Sequence, residues 1–320
     1  MSAPRLLAAA ALAVTALAAA GCPAFHAQPL PGEPPGGSYA ELLDTHVHYR
    51  VTAAAPGAPE RGVVVLVHGF GATMGEWETV VPALTAAGWR TVALDLRGHG
   101  WSSRPDGDYT LDGQARLVLA LLDRLGVDRF ALVGHSWGSA VSVDIATHAP
   151  DRVERLALYN GMFFAAQEPL VFAWSRVPGL GEIIFDVFYP ERTDEKLAFA
   201  FFDPKPYVTE ALVAGTEALL DRPGTSAAAL ATIRALDLEA LEPTYRTLDR
   251  PVLLLWGRED EVTPLEWGER LVNRLPNARL VVFPRCGHLP MVEAAIPSTR
   301  ELLDFLAGAK TTTSAAGVTP

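Results

Sequence analysis

Short runs of consecutive apolar residues alternate with helix-length segments, and this alternation restricts the fold more than any other feature of the sequence. Six such runs, rich in Val and Leu, cover residues 62–69, 90–96, 129–134, 153–160, 251–257 and 278–284. Between the first four lie helix-length segments such as 111–126, with apolar residues at helical spacing. Uninterrupted apolar strands are buried on both faces, so we expect an α/β protein with a mostly parallel central sheet covered by helices on both faces. A weaker extended run at 45–53 predicts an additional edge strand.

The regular alternation stops after residue 160 and resumes at 251, an interval much longer than one crossover connection needs. We predict a mainly helical cap insertion over 161–247, between two parts of the core at 45–160 and 248–308. An insertion at this point covers the carboxyl ends of the strands, where open α/β sheets bind ligands. Its aromatic residues form either its own core or an apolar lid, and they are Phe163, Phe164, Phe172, Trp174, Phe185, Phe188, Tyr189, Phe199, Phe201, Phe202 and Tyr207.

The first residues have the composition of an export signal. Arg5 is followed by an uncharged apolar run at 6–20, which is short for a transmembrane helix but suits the apolar region of a signal peptide, predicted here as 1–21. The following Ala-Ala-Gly-Cys resembles the lipobox of bacterial lipoproteins, which implies lipidation of Cys22 and a membrane anchor on an exported protein. A typical lipobox has Leu where this chain has Ala19, so ordinary cleavage and an uncleaved anchor stay open.

The segments outside the core show no apolar periodicity. Residues 22–44, dense in Pro and Gly at the start, are predicted to be a flexible tether, and 309–320 a disordered tail.

Acidic residues outnumber basic ones by 37 to 26, a formal charge of −11, which argues against binding nucleic acid through its phosphates. Nothing in the sequence indicates a protein partner. If Cys22 carries a lipid, the chain's other cysteine, Cys286, has no disulfide partner.

Residues 134–138 read GHSWG, directly after an apolar run and before a helical segment at 139–149. A serine flanked by glycines between a strand and a helix is typical of a nucleophile elbow, a strained turn that lifts the hydroxyl above the sheet edge. Glycines are needed at both offsets because side chains there collide with the tight crossing. We therefore predict Ser136 as a nucleophile.

With this elbow the chain resembles the α/β-hydrolase family over roughly residues 46–306. VHGFGAT at 67–73 is similar to the family's oxyanion loop, which implies the N–H of Phe70 as one donor and the N–H of Trp137 as the second. GREDEVTP at 257–264 resembles the loop that carries the acid, and CGHLPMVE at 286–293 resembles the loop that carries the histidine. The resemblance implies the catalytic set Ser136, Asp260 and His288, in the chain order of the family.

The acid and the histidine each have competitors. The family pattern G-x-x-D-x-x-x-P favours Asp260 over Glu259 and Glu261, and the alternative acid position of some members, after the run 153–160, holds no carboxylate here. His288 follows the last strand. The other histidines lie inside other motifs, at a helix end or early in the chain, and are expected to be structural or supporting: His26, His46, His48, His68, His99, His135 and His148. Near the histidine loop, Cys286 is expected to be a packed thiol.

The residue types match one chemistry. A serine needs a base to take its proton, histidine can accept and return that proton, and a buried carboxylate orients the imidazole. Serine at the elbow, instead of the aspartate of haloalkane dehalogenases and epoxide hydrolases of this fold, predicts cleavage of a small-molecule carboxylic ester through an acyl-serine. The aromatic insertion alone adds the expectation that the acyl or alcohol part is apolar. No metal is implied. No nucleotide cofactor is implied either, because the sequence contains neither G-x-G-x-x-G nor a P-loop.

Other functions on the same residues stay open. A lactonase, a carbon–carbon bond hydrolase, a perhydrolase and a proline-type aminopeptidase are alternatives that use the same triad. GHSWGS resembles the aminopeptidases, but HGFG departs from the His-Gly-Gly-Pro-Gly that they typically show. A ligand-binding module with an idle triad is an alternative of another class, and measurable turnover separates it from the enzymes.

Overall fold

The computed structural model describes residues 24–32, 34 and 36–308. The predicted signal at 1–21, the lipidation site Cys22 and the tail at 309–320 lie outside the described residues. Within the described part of the chain, no helix combines the length and the apolar character needed to cross a bilayer.

A mostly parallel sheet of eight strands forms the centre of the protein, which confirms the predicted fold class. The strands stand in the order β1-β2-β4-β3-β5-β6-β7-β8; β1 and β2 are antiparallel to their neighbours, and the pairs from β4 to β8 are parallel. Their bounds are β1 Ser38–Leu42, β2 Thr45–Thr52, β3 Gly62–Val67, β4 Trp89–Leu94, β5 Phe130–His135, β6 Val153–Tyr159, β7 Val252–Gly257 and β8 Ala278–Phe283.

Helices cover both faces of the sheet. Along β3, Val65 and Val67 belong to one buried cluster, and Val64 and Leu66 belong to the cluster on the opposite face. Successive side chains of a strand point to opposite faces, so the continuous apolar run follows directly from burial on both sides. The core helices are α1 Val81–Ala86, α2 Leu111–Arg124, α3 Trp137–His148, α9 Leu265–Val272, α10 Pro290–Glu293 and α11 Ala295–Leu306.

The interval between β6 and β7 contains the remaining helices. They are α4 Leu170–Ser175, α5 Leu180–Ile183, a π-helical turn Ile184–Phe188, α6 Thr193–Phe199, α7 Glu210–Leu220 and α8 Thr225–Ala235, with short 3₁₀ turns at Ala165–Gln167 and Glu242–Arg246. The aromatic residues of this interval divide into three groups. Phe163 and Phe164 join the main core, Phe185 joins a small cap core with Leu230 and Ile233, and others are exposed.

The prediction of a flexible tether at 22–44 is wrong for residues 38–42. Residues Ser38–Leu42 form β1, which pairs with β2, so β2 is not the edge strand that the sequence predicts. The buried Ala40 and Leu42 alternate with more exposed residues, a period of two that is too short to stand out beside the Pro and Gly before it. Further upstream, His26 and Arg104 exchange backbone hydrogen bonds of 2.6 and 2.8 Å.

Candidate active site

The turn between β5 and α3 places Ser136 on the edge of the sheet. Its φ of 52° and ψ of −124° lie in a region that residues with a side chain rarely adopt. The backbone N–H of Ser136 donates to the carbonyl of Tyr159 at 2.9 Å, and its carbonyl accepts from Ser139 at 3.0 Å. The strained turn is thus held by hydrogen bonds to β6 and to the first turn of α3.

The flanking glycines are required by close backbone contact. A Cβ at Gly138 would lie 2.2 Å from the carbonyl oxygen of His68, at the end of β3. A Cβ at Gly134 would lie 2.5 Å from Oγ of Ser142 and 2.7 Å from the carbonyl oxygen of Gly138. The GHSWG spacing therefore allows α3 to pack directly against the neighbouring strand.

The two predicted partners of the serine are in direct contact. Nδ1 of His288 lies 2.9 Å from Oδ2 of Asp260, and both side chains are buried. Oδ1 of Asp260 accepts the backbone N–H groups of Val262 and Thr263 at 2.8 and 2.9 Å. We assign the imidazole proton to Nδ1, because a carboxylate only accepts, and this leaves Nε2 free to act as a base.

Asn160 is a site residue that the sequence analysis did not identify. It occupies the alternative acid position after β6, and its side-chain amide donates to Oδ2 of Asp260. The hydroxyl of Thr263 lies 2.7 Å from the same oxygen. Burial raises the pKa of Asp260, but the neighbouring His288 and these hydrogen bonds outweigh it, and the net pKa lies below the ordinary value. The carboxylate is therefore ionised at neutral pH and saturated with donors.

A second buried acid and histidine lie behind the first pair. His135, the residue before Ser136, donates from Nε2 to the carbonyl oxygen of His288 at 2.9 Å, and the two imidazole rings are 4.6 Å apart. Nδ1 of His135 makes an ion pair with Glu76 at 3.1 Å without an aligned hydrogen bond. These contacts link the turn carrying Ser136 to the loop carrying His288.

The charge state of His135 follows from its neighbours. Burial lowers the pKa of His135, but the carboxylate of Glu76, the carbonyl of His288 and the more distant Asp260 outweigh it, and the net pKa lies above the ordinary value. One feature of the sequence indicates this pair, namely that His135 is a polar residue inside the elbow motif. Its partner Glu76 is 59 positions away in the chain, which no local pattern connects.

The two predicted oxyanion donors lie on either side of the serine. Phe70 is in the turn after β3, where a Cβ on the preceding Gly69 would lie 3.1 Å from Cβ of Ser136. Trp137 is the first residue of α3, so its N–H has no partner one turn back in the helix, and the helix dipole places partial positive charge there. Both residues thus lie next to Ser136, and the role of their N–H groups as donors to the oxyanion of a tetrahedral intermediate stays a prediction.

The side chains of these two residues begin an aromatic wall, which we define as Phe70, Trp137, Phe172, Tyr189 and His99. The ring of Phe70 lies 6.4 Å from Trp137, 6.3 Å from Phe172 and 6.1 Å from Tyr189. The ring of His99 stacks on Trp137 at 5.3 Å. Burial lowers the pKa of His99 to about 3, so this ring is neutral at physiological pH. The wall is therefore apolar and uncharged, and the cap supplies two of its five members.

The cap is also bonded to the histidine loop. The N–H of His288 donates to the carbonyl of Ala200 at 2.7 Å. The carboxylate of Glu293 accepts the N–H of Phe202 and the N–H of Gly287, both at 2.8 Å. Glu293 lies within the segment CGHLPMVE, and the sequence alone assigned it no role. It joins the end of α6 to the loop that positions the base.

The remaining candidates have structural contacts. His68 donates from Nδ1 to the carbonyl of Gly69 at 2.7 Å and accepts the N–H of Leu96 at 3.0 Å, so both ring nitrogens are used. Cys286 is buried, and burial raises the pKa of its thiol far above the usual value. A thiol that stays protonated is a poor nucleophile, as expected for a packed side chain.

Comparison with known proteins agrees with the fold. A sequence model of the family described as alpha/beta hydrolase fold matches residues 62–295. A 2-hydroxymuconate semialdehyde hydrolase of Pseudomonas putida is 30% identical over 251 residues, which cover 77% of this chain and 87% of the relative.

Solved structures of similar chains share the architecture. A hydrolase from Pseudomonas aeruginosa is 32% identical with a TM-score of 0.69, covering 86% of this chain and 99% of that one. A meta-cleavage product hydrolase from Pseudomonas fluorescens is 25% identical with a TM-score of 0.71, covering 85% of this chain and 98% of that one. Similarity at these levels extends over nearly the whole of each relative.

Proposed function

The chain belongs to the alpha/beta hydrolase fold family, and we propose that it cleaves carboxylic esters with an apolar acyl or alcohol part through an acyl intermediate on Ser136. A Ser-His-Asp set of this kind is suited to hydrolysis by acyl transfer. The ester specificity is our inference from the site of this chain.

The mechanism follows from the contact between His288 and Asp260 and from the position of Ser136 at the edge of the sheet. Nε2 of His288 takes the proton of Ser136 as the hydroxyl attacks the ester carbonyl, and Asp260 stabilises the imidazolium that forms. The N–H groups of Phe70 and Trp137 stabilise the oxyanion. The imidazolium then returns its proton to the leaving alcohol, and a water activated by the same nitrogen hydrolyses the acyl-serine.

The aromatic wall is the observation that carries the ester proposal. An uncharged wall next to the nucleophile favours an apolar acyl group, because burial of a carboxylate without a cationic partner is costly. Arg104 lies near the wall and lines one small cavity with His99 and Tyr189. Its guanidinium is already bonded to the carbonyls of Gly100 and Ser102 and to the hydroxyl of Thr225. These bonds fix Arg104 as a structural residue.

Hydrolysis of a carbon–carbon bond is the second candidate, and the comparisons favour it. The relative from Pseudomonas putida is named for 2-hydroxymuconate semialdehyde, and a related protein at 32% identity is named a 2-hydroxy-6-oxo-2,4-heptadienoate hydrolase. Both names describe substrates that carry a carboxylate. Such a substrate needs a cation or several N–H donors in the pocket.

A direct comparison of substrates decides between the two candidates. The enzyme should release p-nitrophenol from acyl esters and prefer longer over shorter acyl chains, and Ser136→Ala should give the background rate. The same preparations are then assayed with 2-hydroxymuconate semialdehyde by loss of its absorbance. Turnover of the dienoate without turnover of any ester would reject the ester proposal and support the second candidate.

We also propose that the protein is exported and anchored in a membrane by lipid on Cys22. The apolar run at 6–20 and the small residues before Cys22 support this proposal. Protein recovered from the membrane fraction should begin at a lipid-modified Cys22 by mass spectrometry, and Cys22→Ser should not be modified. An N-terminus at any other residue, in the wild type, would contradict it.

A further inference from the structure

The cap segment 170–188 presents apolar side chains on two opposite sides. On its inner side Phe172 contacts Phe70 of the aromatic wall, and Phe185 is buried in the cap core. On its outer side six large apolar side chains are exposed by 39 to 66%, and we call them the outer face: Leu170, Trp174, Val177, Leu180, Val187 and Phe188. Apolar residues grouped in this way mark an interaction surface rather than scattered surface residues.

Local geometry brings the outer face together. Leu170 and Trp174 stand at the spacing of i and i+4, which places them on one side of α4, and Val177 lies in the turn that follows the helix. Helix α5, which carries Leu180, packs against α4 and continues directly into the π-helical turn that carries Val187 and Phe188. The outer face is therefore formed by one continuous stretch of chain.

The N-terminal end of the described chain lies beside this stretch. Phe25 lines one cavity together with Glu182 at the end of α5 and with Leu230 and Arg234 of α8. His26 is held to Arg104 by its two backbone hydrogen bonds. Position 22 precedes His26 by four residues, so their Cα atoms are at most about 14 Å apart. A lipid on Cys22 would therefore hold the bilayer close to the cap.

We propose that the outer face docks on the lipid bilayer in which the chain is anchored. This inference rests on the proposed lipid anchor, and it adds the orientation of the domain on the membrane. Trp174 and Phe188 have the aromatic side chains that favour the bilayer interface, and the aliphatic residues between them enter the acyl region. The net charge of −11 does not favour anionic headgroups, so the contact is with apolar lipid, and a zwitterionic membrane is sufficient.

The test measures the depth of Trp174 in a membrane. The protein isolated from the membrane fraction is reconstituted into phosphatidylcholine vesicles with or without bromine on the acyl chains, because bromine quenches only tryptophans that reach the lipid. Residues 1–23 contain no tryptophan, so quenching reports on the rest of the protein. The matched control is Trp267→Phe, which changes a half-buried tryptophan on α9 that packs beside Phe164.

Brominated lipid should quench the wild type, and Trp174→Phe should reduce the quenched fraction about twofold or more, while Trp267→Phe should not lower it. No quenching of the wild type, or equal quenching of wild type and Trp174→Phe, would overturn the docking. A failure of the ester proposal would be seen in a different experiment, the ester assay, as no release of p-nitrophenol. Failure of the anchor appears separately as well, because mass spectrometry then finds no lipid on Cys22.

Discussion

Asp260→Asn should lower kcat by about 10⁴-fold and leave the fold intact, because the side chain keeps its shape and loses its charge. An amide at 260 can donate to Nδ1 of His288, which moves the imidazole proton to Nε2. That nitrogen then cannot accept the proton of Ser136. The measurement is kcat for the best ester, together with urea unfolding to show that the variant is folded.

The structure offers a matched rescue of this variant. The amide of Asn160 and the imidazole of His288 both bond Oδ2 of Asp260, so a carboxylate at 160 lies beside the oxygen it replaces. Asn160 has a φ of 42°, a conformation that aspartate also tolerates. The double variant Asn160→Asp/Asp260→Asn should therefore be measurably faster than Asp260→Asn alone. Equal rates would show that only position 260 can orient the base, and an undiminished rate in Asp260→Asn would remove Asp260 from the triad.

His135→Leu should lower the free energy of unfolding by about 3 kcal/mol, because it leaves the carboxylate of Glu76 buried without its cation. The side chains of both residues are less than a tenth exposed, so solvent screening is weak. Adding Glu76→Gln should recover part of the loss, since the amide carries no charge. Urea unfolding of the two single variants and the double variant gives the coupling free energy of the pair.

The coupling should also depend on pH in a fixed direction. The folded pKa of His135 is raised above its ordinary 6.5, so the stabilisation is complete below that value and is lost as the pH rises through the folded pKa. The coupling free energy should therefore be larger at about pH 6 than at about pH 9. A coupling that is absent at both values, or that grows with pH, would mean that His135 is neutral in the folded protein.

Local patterns were sufficient to predict the sheet and the serine turn. Six of the predicted strands are apolar runs rich in Val and Leu, and GHSWG combines a strand, two obligatory glycines and a helix within a few residues. The edge of the sheet was not predictable in the same way. Residues 38–42 become a strand only because β2 offers them a partner, and their short alternation has no separate signal.

The supporting residues of the site depend on contacts between distant parts of the chain. The position of Asn160 after β6 could be found from the sequence as an alternative acid position, but its hydrogen bond to Asp260 spans 100 residues. The bond from His135 to His288 spans 153 residues. The sequence also could not predict which aromatic residues of the cap are buried, because α4 carries Phe172 inward and Trp174 outward within one turn.

The bonds from Ala200 and Glu293 to the histidine loop fix where the cap can hinge. A motion that lifted residues 200–202 would break the hydrogen bond from the N–H of His288 and displace the loop that carries the base. A motion that pivots at these residues and swings α4 outward leaves His288 and Asp260 in register. An opening of the cap that keeps the base in place would therefore be confined to the α4 side.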